Sequence, residues 1–479
     1  MNRAKRKTDA LIGVLAIMCG VIAAIDLVPQ ATAQTLSAEA LHQRTIERRA
    51  VELAIWGIPA VNYDAVYQAM VRANGHTNQI AYWSRPSNWK SQLLTPNSEV
   101  LYVIPFINTK DVGPIVLEIP PADDGVINGS VVDCWQTALE DVGPAGVDKG
   151  KGGKYLILPP GYKDTVPDGY IALPSQTFQS SALLRSIPKS HDAADLAAAN
   201  AYLKRIRLYP LSEASNPPPT RFIDVADTLF DGTIPYDLRF FQSLDRMVQT
   251  EPVQTKDKLM YGWLASIGIE KGKPFKPDPS TKRILQSAIT EAHAWLENRY
   301  LTVPPPYYPG KQWFFPAEKE VAPSHGTYEL PDRYLTDARG TIYHWGFSSI
   351  KHAGTGQYYL MTTKDKEARF LNGSDHYRLT VPAKAPVTQY WSVTVYDRTT
   401  HAFIREMKVP NRSSLEPGLQ KNTDGSVDIF FGPNAPAGHE ANWIPTKRDA
   451  EFEVILRAYG PEKPLFDKTW QLPDIVKLQ

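Results

Sequence analysis

Short apolar runs separated by proline and glycine set the main limit on how this chain can fold. In the first half they occupy residues 100–107, 115–119, 130–135, 155–158 and 170–173. Their length and punctuation predict strands of a first β domain, with a tight turn at Asn128-Gly129. Proline makes up 40 of the 479 residues and aromatic side chains 10%, which favours a β-rich protein with stiff loops over a helical bundle.

The same pattern returns after about residue 325 and predicts a second β domain. Residues 391–396 alternate strictly, so Trp391, Val393 and Val395 share one face of a strand. Turns at Asn372-Gly373 and Asp424-Gly425 predict two hairpins, and residues 452–459 read as a final core strand. Many short strands with turn signals favour a sandwich or jelly roll.

Helical patterns occupy the N-terminal region and the middle of the chain. Residues 38–72 read as helical with a break at Gly57-Ile58-Pro59, and residues 193–207 form an alanine-rich helix. Three amphipathic stretches, the third capped by Ser280, lie between proline-rich joints at 216–219 and 303–309.

We therefore expect an α+β protein, mainly β, with two sandwich- or jelly-roll-like domains bridged by helices. The expected segments are a signal peptide, an N-terminal helical region, a first β domain, a helical bridge and a C-terminal β domain, at residues 1–33, 34–92, 93–215, 216–302 and 303–479.

The first 33 residues have the three-part plan of a secretory signal peptide. Four basic residues precede an apolar run at residues 10–25, and Ala31-Thr32-Ala33 provides a cleavage site. An uncleaved anchor is the alternative, but the run is shorter than the ~20 residues that a spanning helix needs. We expect a periplasmic or secreted protein that begins near Gln34 and does not contact the membrane after cleavage.

Charge and cysteine content exclude several classes of protein. Without residues 1–33 the chain has 48 Lys and Arg against 49 Asp and Glu, which gives it no electrostatic reason to bind nucleic acid. Cys134 would be the only remaining cysteine, so no intramolecular disulfide can form. Its apolar neighbours indicate a buried small side chain, and the alternatives are a nucleophile or a disulfide-linked dimer. A homo-oligomer stays open.

Standard catalytic signatures are absent from the sequence. It contains no Gly-x-Ser-x-Gly, no His-Glu-x-x-His, no Cys-x-x-Cys and no phosphate-binding loop. The ten histidines are scattered, although His344, His352 and His376 could converge in one domain. We expect no organic cofactor, and a divalent metal stays possible.

Two sets of motifs resemble a known pair of bacterial domains. TPNSEVLY at 95–102, GPIVLEIP at 113–120, DVGPAGVDKG at 141–150 and YLILPPGY at 155–162 resemble domain of unknown function 1254. YWSVTVYD at 390–397, NTDGS at 422–426, NWIP at 442–445 and LRAYGP at 456–461 resemble its usual companion, domain of unknown function 1214. The resemblance implies an exported protein with two β-rich domains bridged by helices, and it implies no reaction. Where the first motif usually has Asp-Thr, this chain has Glu99 and Val100.

A first candidate site consists of Asn97, Glu99 and Tyr102 as catalytic residues. If residues 97–102 are extended, Asn97 and Glu99 point into one cavity while Tyr102 points the other way. The structural alternative is that Asn97 bonds the backbone after Pro96 in an Asx-type turn.

Two further clusters combine polar groups with aromatic rings, as ligand pockets do. Asp133, Trp135, Glu140 and Asp141 could share a proton or hold a cation, or they could be solvated acids at the start of a helix. The third cluster comprises Trp391, Tyr396, Asn442, Trp443 and Arg457. These side chains could bind an anion or a sugar. Alternatively, the tryptophans could fill the sandwich core while the arginine bonds loop carbonyls.

Two functions from different classes remain. The first is a hydrolase of an ester, sulfate or glycosidic bond, with Glu99 as base and Tyr102 or Arg457 stabilising charge. The second is a non-catalytic binding protein for a glycan or a small aromatic ligand, with Trp443 in its pocket.

Overall fold

The computed structural model describes residues 36–347, 349–352 and 356–479. The predicted signal peptide and its cleavage site lie outside these residues. Helix accounts for 28% and strand for 26% of the chain, which makes the fold α+β. Among the helices described, none combines the length and apolarity that crossing a bilayer requires.

Seven α-helices occur in the described ranges. They are α1 (Ala38–Arg72), α2 (Ala193–Leu203), α3 (Leu238–Thr250), α4 (Lys258–Ser266), α5 (Pro279–Thr302), α6 (Thr336–Trp345) and α7 (Lys463–Phe466). The cap predicted at Ser280 is wrong, because Asp278 accepts hydrogen bonds from the backbone of Ser280 and Thr281 and begins α5.

Helix α1 continues through Pro59, so the predicted break is wrong. Proline removes one backbone hydrogen bond and costs about 3 kcal/mol in a helix interior. Tertiary packing outweighs this cost, since every residue from Leu53 to Asp64 is buried. A Cβ atom on Gly57 would lie 2.9 Å from Leu244 of α3, and one on Gly340 of α6 would lie 3.0 Å from Ile55. Small residues therefore let α3 and α6 approach α1 closely.

The first β domain contains the strands β1–β12, four of which (β1, β2, β11 and β12) lie outside the expected bounds of 93–215. They are β1 (Gln79–Tyr82), β2 (Ser91–Gln92), β3 (Leu101–Asn108), β4 (Ile115–Ile119), β5 (Ile127–Asp133), β6 (Ala138–Val142), β7 (Gly153–Leu158), β8 (Tyr170–Pro174), β9 (Gln179–Ser186), β10 (Arg207–Pro210), β11 (Phe222–Asp224) and β12 (Phe230–Asp231). They form sheets of order β11-β1-β3-β9-β5-β6, β10-β4-β7-β8 and β12-β2. One apolar core contains residues of both larger sheets, among them Leu101, Val103, Leu117 and Ile157.

The turn predicted at Asn128-Gly129 is wrong, because both residues lie inside β5. Gly129 pairs with Leu184 of β9, and a Cβ atom at this position would lie 2.1 Å from the Leu183 carbonyl oxygen. Glycine is therefore needed here for close strand contact and not for a turn.

The C-terminal domain contains β13–β20 in two four-stranded sheets. The strands are β13 (Gln357–Thr362), β14 (Tyr377–Val381), β15 (Val387–Asp397), β16 (Asn411–Ser413), β17 (Val427–Gly432), β18 (Trp443–Pro445), β19 (Phe452–Pro461) and β20 (Val476–Lys477). The sheet orders are β13-β19-β15-β16 and β18-β17-β14-β20, and residues of both sheets share one core. Sandwich or jelly-roll topology stays a prediction.

The structure distinguishes the two predicted C-terminal hairpins. The backbone of Gly373 bonds Ala450 and Asn372 bridges to Glu451, so no hairpin forms there. The turn at Asp424-Gly425 is confirmed, since Gly425 has a φ of +82° and leads into β17. The hairpin predicted around it is wrong, because β17 pairs with β14 and β18. The alternation in β15 is confirmed too: Trp391, Val393 and Val395 belong to the C-terminal core, while Tyr396 packs in a separate core with Tyr300 and Phe403.

Candidate functional site

The loop before β3 is held by side chains of the C-terminal domain. The Asn97 Nδ2 atom donates to the Tyr459 hydroxyl at 2.5 Å, and the Tyr396 hydroxyl donates to the Pro96 carbonyl at 2.6 Å. Arg457, which is 2% exposed, donates to the Thr95 carbonyl at 2.8 Å. Residues of the first and third candidate sites therefore meet at one domain interface.

Residues 97–100 are not extended, which changes the predicted geometry of the first site. Asn97 Oδ1 accepts from the backbone of Glu99 at 3.0 Å, the Asx-type turn expected as the structural alternative. Strand β3 begins only at Leu101, and the Tyr102 hydroxyl turns back to accept from the backbone of Asn97 at 2.9 Å. Asn97 and Tyr102 thus stabilise the loop directly.

Glu99 is the carboxylate buried beside this loop. Its side chain is 2% exposed; Oε1 accepts from Asn411 Nδ2 at 2.5 Å, and Oε2 lies 3.6 Å from His191 Nε2. Oε2 has no hydrogen-bond partner among the described residues. Glu99 and His191 therefore form a carboxylate–imidazole pair in which one oxygen has no donor.

Arginines and tyrosines surround this interface and form a cluster that we call the tyrosine–arginine cluster. It consists of Tyr102, Arg185, Tyr359, Tyr390, Tyr396, Arg457 and Tyr459. The Arg457 guanidinium lies 5.1 Å from the Tyr359 ring and 5.5 Å from the Tyr396 ring, and the Arg185 guanidinium lies 5.6 Å from the Tyr102 ring. The rings of Tyr390 and Tyr459 stack with centroids 4.3 Å apart. The guanidiniums of Arg185 and Arg457 therefore contact aromatic rings, in cation–π geometry, and not carboxylates.

A cavity of about 640 Å³ opens beside this cluster, between the first β domain and the C-terminal domain. Arg185, Tyr390 and Tyr459 line it, together with Asn128 and Asp141. Within the described chain, Arg185 pairs with no carboxylate and its Nε atom is buried without a hydrogen-bond partner. Burial opposes the charge of Arg185, but the neighbouring tyrosines outweigh it and raise its pKa above the usual value. The cavity wall therefore presents a guanidinium that is not paired with a carboxylate.

The carboxylates of the second candidate site bond to donors and not to one another. Asp133 caps a turn by accepting from the backbone of Trp135 and Thr137, and the Trp135 ring packs against that of Trp56 at a tilt of 43°. The expected helix start is wrong, since residues 138–142 form the buried strand β6.

Glu140 and Asp141 bond to Lys351 and to His352, a residue that lines the cavity. Glu140 bonds the side chains of Lys351 and His352, and Asp141 accepts from Ser130 and from the backbone of both residues. Hydrogen bonds from Lys351 and His352 overcome the effect of burial and lower the pKa of Glu140. Of the four residues of the second candidate site, only Asp141 lines the cavity.

The remaining residues of the third candidate site lie apart from this interface. Trp391 packs in the C-terminal core. Asn442 bonds the backbone of Gln420 and Asp428, and the Trp443 indole donates to the Gly432 carbonyl. These contacts fix loops beside β17 and β18, so the structure divides the predicted set into two places.

A second polar cluster lies between the helices and the C-terminal domain. We call His293, Glu297, His344, His401 and Glu453 the histidine–carboxylate cluster. His293 and Glu297 lie one turn apart on α5, His344 is in α6, His401 follows β15, and Glu453 is in β19. The side chains of His344, His401 and Glu453 are at most 2% exposed. His293, Glu297 and His344 each place one donor atom within 4.8 Å of the other two, which is a spacing that a metal ion can bridge.

Charge in this cluster is distributed unevenly. Burial lowers the pKa of His344 to about 3, aided by the positive charge of His401. Burial opposes protonation of His401 as well, but the carboxylates of Glu453 and Glu297 raise its pKa to about 9. Glu297, which burial alone would make less acidic, keeps a pKa well below its usual range because His344 and His401 bond to it. Without a metal, one imidazolium therefore lies between two carboxylates.

Sequence reasoning missed this cluster, although one signal was present. His293 and Glu297 have the i, i+4 spacing that places two side chains on one face of a helix. The sequence left open that His344, His352 and His376 could converge, and the structure gives them different neighbours. His352 bonds Glu140, and the ring of His376 packs near Gly432.

Comparisons with known proteins match two families and one general fold. Residues 77–210 match "Protein of unknown function (DUF1254)" and residues 356–463 match "Protein of unknown function (DUF1214)". The crystal structure of the VPA0106 protein from Vibrio parahaemolyticus is similar, with a TM-score of 0.56 and 17% identity over 91% of this chain and 100% of that one. A putative uncharacterized protein from Burkholderia cenocepacia has a TM-score of 0.42 and 10% identity over 92% and 95% of the two chains. No curated protein matches.

Proposed function

This chain belongs to the family in which a DUF1254 domain precedes a DUF1214 domain, and we propose that it binds a small aromatic carboxylate in the cavity beside Arg185. The observation that carries the proposal is the half-buried guanidinium of Arg185, whose Nε atom is buried without a hydrogen-bond partner and which has no carboxylate partner in the described chain. A buried charge without a counter-ion is costly, and a bound anion would neutralise it.

The size and walls of the cavity support an aromatic ligand in particular. Its volume of about 640 Å³ falls in the usual range for small-molecule sites. The stacked rings of Tyr390 and Tyr459 offer an aromatic surface, and Ile187 and Leu415 add apolar contacts. A carboxylate on Arg185 would leave the ring of the ligand against this surface.

Calorimetric titration of the chain from residue 34 with benzoate and 4-hydroxybenzoate tests the proposal, with benzamide as the uncharged control. We expect the carboxylates to bind and the amide to bind at least tenfold more weakly. Arg185→Gln should weaken carboxylate binding by about tenfold or more, because a charged hydrogen bond contributes about 1.5–3 kcal/mol. The matched control Arg207→Gln changes an exposed arginine that pairs with Glu118 in the first β domain and should leave the affinity unchanged.

Equal binding of benzoate and benzamide would contradict the proposal, and so would an Arg185→Gln variant with wild-type affinity. Failure of a panel of aromatic carboxylates to bind would also contradict it.

Hydrolysis of an ester, sulfate or glycosidic bond is the second candidate function. One observation favours it: the Glu99 oxygen without a donor lies 3.6 Å from His191, whose side chain is 36% exposed. In this arrangement His191 would be the general base. Glu99 would orient its ring and stabilise the positive charge that the imidazole gains on accepting a proton. Glu99→Gln should then abolish turnover of aryl substrates while the folded structure is retained, and an unchanged rate would exclude this role.

Export through a cleaved signal peptide completes the proposal. The basic, apolar and small-x-small segments of residues 1–33 support it. N-terminal sequencing of the protein from the periplasmic fraction should begin at Gln34.

A further inference from the structure

We propose that Glu297, His344 and His401 bind a divalent transition-metal ion, preferentially Zn²⁺, with His293 as the fourth donor. This inference is independent of the anion proposed beside Arg185, because the two sites share no residue. It starts from the three donor atoms Glu297 Oε1, His344 Nε2 and His401 Nε2.

These three atoms form a triangle of the size that tetrahedral coordination needs. The two imidazole Nε2 atoms are 3.1 Å apart, and Glu297 Oε1 lies 3.2 Å from that of His344 and 3.4 Å from that of His401. Zinc bonds of 2.0–2.1 Å to nitrogen and oxygen place tetrahedral ligands about 3.3–3.4 Å from one another. An ion above the centre of the triangle would therefore contact all three atoms with small adjustments.

His293 would be the fourth ligand of the metal ion. It lies one helical turn before Glu297, and its donor atom is within 4.8 Å of the donors of Glu297 and His344. Its Nε2 atom is buried without a hydrogen-bond partner in the described chain, while its ring stacks on Tyr236 at 4.0 Å. A change in the side-chain position of His293 would bring this nitrogen to the spacing that tetrahedral coordination needs.

Each of the three close ligands is oriented by a further contact, as metal ligands usually are. His401 Nδ1 bonds Glu453 Oε1 at 2.8 Å, and the Tyr300 hydroxyl holds the other oxygen of Glu453 at 2.8 Å. His344 Nδ1 bonds the Tyr236 hydroxyl at 2.5 Å.

Arg398 donates to both oxygens of Glu297, at 2.7 and 2.6 Å. If His344 Nδ1 donates to Tyr236 and the imidazolium of His401 releases its Nε2 proton when the metal binds, the lone pairs of both Nε2 atoms face each other and the Glu297 carboxylate. A cation fits this arrangement of three facing acceptors.

The donor set and its burial indicate the kind of ion and its effect. Imidazole and carboxylate donors in tetrahedral geometry suit Zn²⁺, and they would also accept Co²⁺ as a spectroscopic probe. Because the ligands come from α5, α6 and the loop after β15, the ion would join the helical bridge to the C-terminal domain. Binding to the folded state alone stabilises it.

Metal content and thermal unfolding of the full exported chain test the site. After equilibration with Zn²⁺ and desalting, we expect one zinc per chain by elemental mass spectrometry, and a melting temperature that falls when EDTA is added. Co²⁺ in place of Zn²⁺ should give the strong visible absorption typical of tetrahedral sites. Glu297→Gln and His344→Gln should each lower zinc affinity at least 100-fold, and Glu453→Gln by 10–100-fold.

The control is His439→Gln, which changes an exposed histidine in the same chain and should retain one zinc. Should a His344→Gln variant fail to fold, the cobalt spectrum of the wild-type protein still decides the question. Absence of stoichiometric zinc and of a tetrahedral cobalt spectrum would overturn the proposal. Zinc retained equally by wild type and Glu297→Gln would also overturn it, since the ion would then be bound elsewhere.

Discussion

Cys134 shows how burial determines the chemistry of a single side chain. It follows β5, is fully buried and is not in a disulfide. Burial raises the pKa of its thiol well above the usual value, and the carboxylates of Glu251 and Asp133 raise it further. The sequence-based expectation of a buried small side chain is confirmed, and a disulfide-linked dimer through this residue does not fit its burial.

We therefore expect Cys134 to be inert in the folded protein. At pH 8 the thiol should stay protonated and inaccessible, because only the thiolate reacts with alkylating reagents. Mass spectrometry after iodoacetamide treatment should find no modification of the native protein and full modification in guanidinium chloride. Rapid labelling of the native protein would contradict this assignment.

Individual residues also show why the polar sites were only partly predictable. Asn97 and Glu99 were identified because their motif is local, and the turn that Asn97 makes involves a residue two positions away. His344 and His401 are 57 residues apart, and no local pattern connects them. Such a contact depends on how α6 and the loop after β15 pack, which neither periodicity nor spacing reveals.

At the scale of elements, local propensity and tertiary packing give different answers in α1 and β5. A proline in a helix and an Asn-Gly pair in a strand both predict interruption. Burial of residues 53–64 keeps α1 continuous, and close pairing with β9 keeps Gly129 within β5. By contrast β4 was predicted at its observed bounds, because its apolar run ends at a glycine and proline on one side and a proline on the other.

Two glycine substitutions separate close packing from helix propensity. Gly129→Ala should destabilise the protein by about 3 kcal/mol or more, because its Cβ atom would lie 2.1 Å from the Leu183 carbonyl oxygen and the strands would have to separate. Gly262→Ala, exposed in α4 with no atom within 4 Å of a new Cβ, should stabilise it by about 0.5–1 kcal/mol. Unfolding in urea measures both. A Gly129→Ala variant of wild-type stability would show that the strands can relax without cost.

At the scale of the whole molecule, the interface between the two β domains joins groups that the sequence assigned to separate sites. Asn97, Glu99 and Tyr102 come from the first domain, while Tyr396 and Arg457 come from β15 and β19. The motifs identified both sets, but only the tertiary structure brings them together. Asn442 and Trp443 belong to the same C-terminal motifs and lie elsewhere because they stabilise loops of the other sheet.

The composition of this interface predicts that carboxylate binding is independent of pH from 7 to 9. Arg185 keeps its charge because its pKa is raised, and burial raises the pKa values of Tyr390 and Tyr459 above their usual range, so these rings do not ionise. Benzoate, with a carboxyl pKa near that of a side-chain acid, about 4, is also fully ionised in this range. Titrations at pH 7, 8 and 9 should give dissociation constants within twofold. A steep loss of affinity before pH 9 would mean that another group controls binding.

The bonds between the Thr95–Glu99 loop and β19 also have a consequence for biosynthesis. Asn97 and Thr95 emerge from the ribosome 362 residues before their partners Tyr459 and Arg457. Until β19 has been made, the loop lacks these donors and acceptors. The chain just before β3 then lacks the contacts that fix its conformation. The Thr95–Glu99 loop therefore cannot make these native contacts until nearly the whole chain has been synthesised, so its final ordering is a late step of folding.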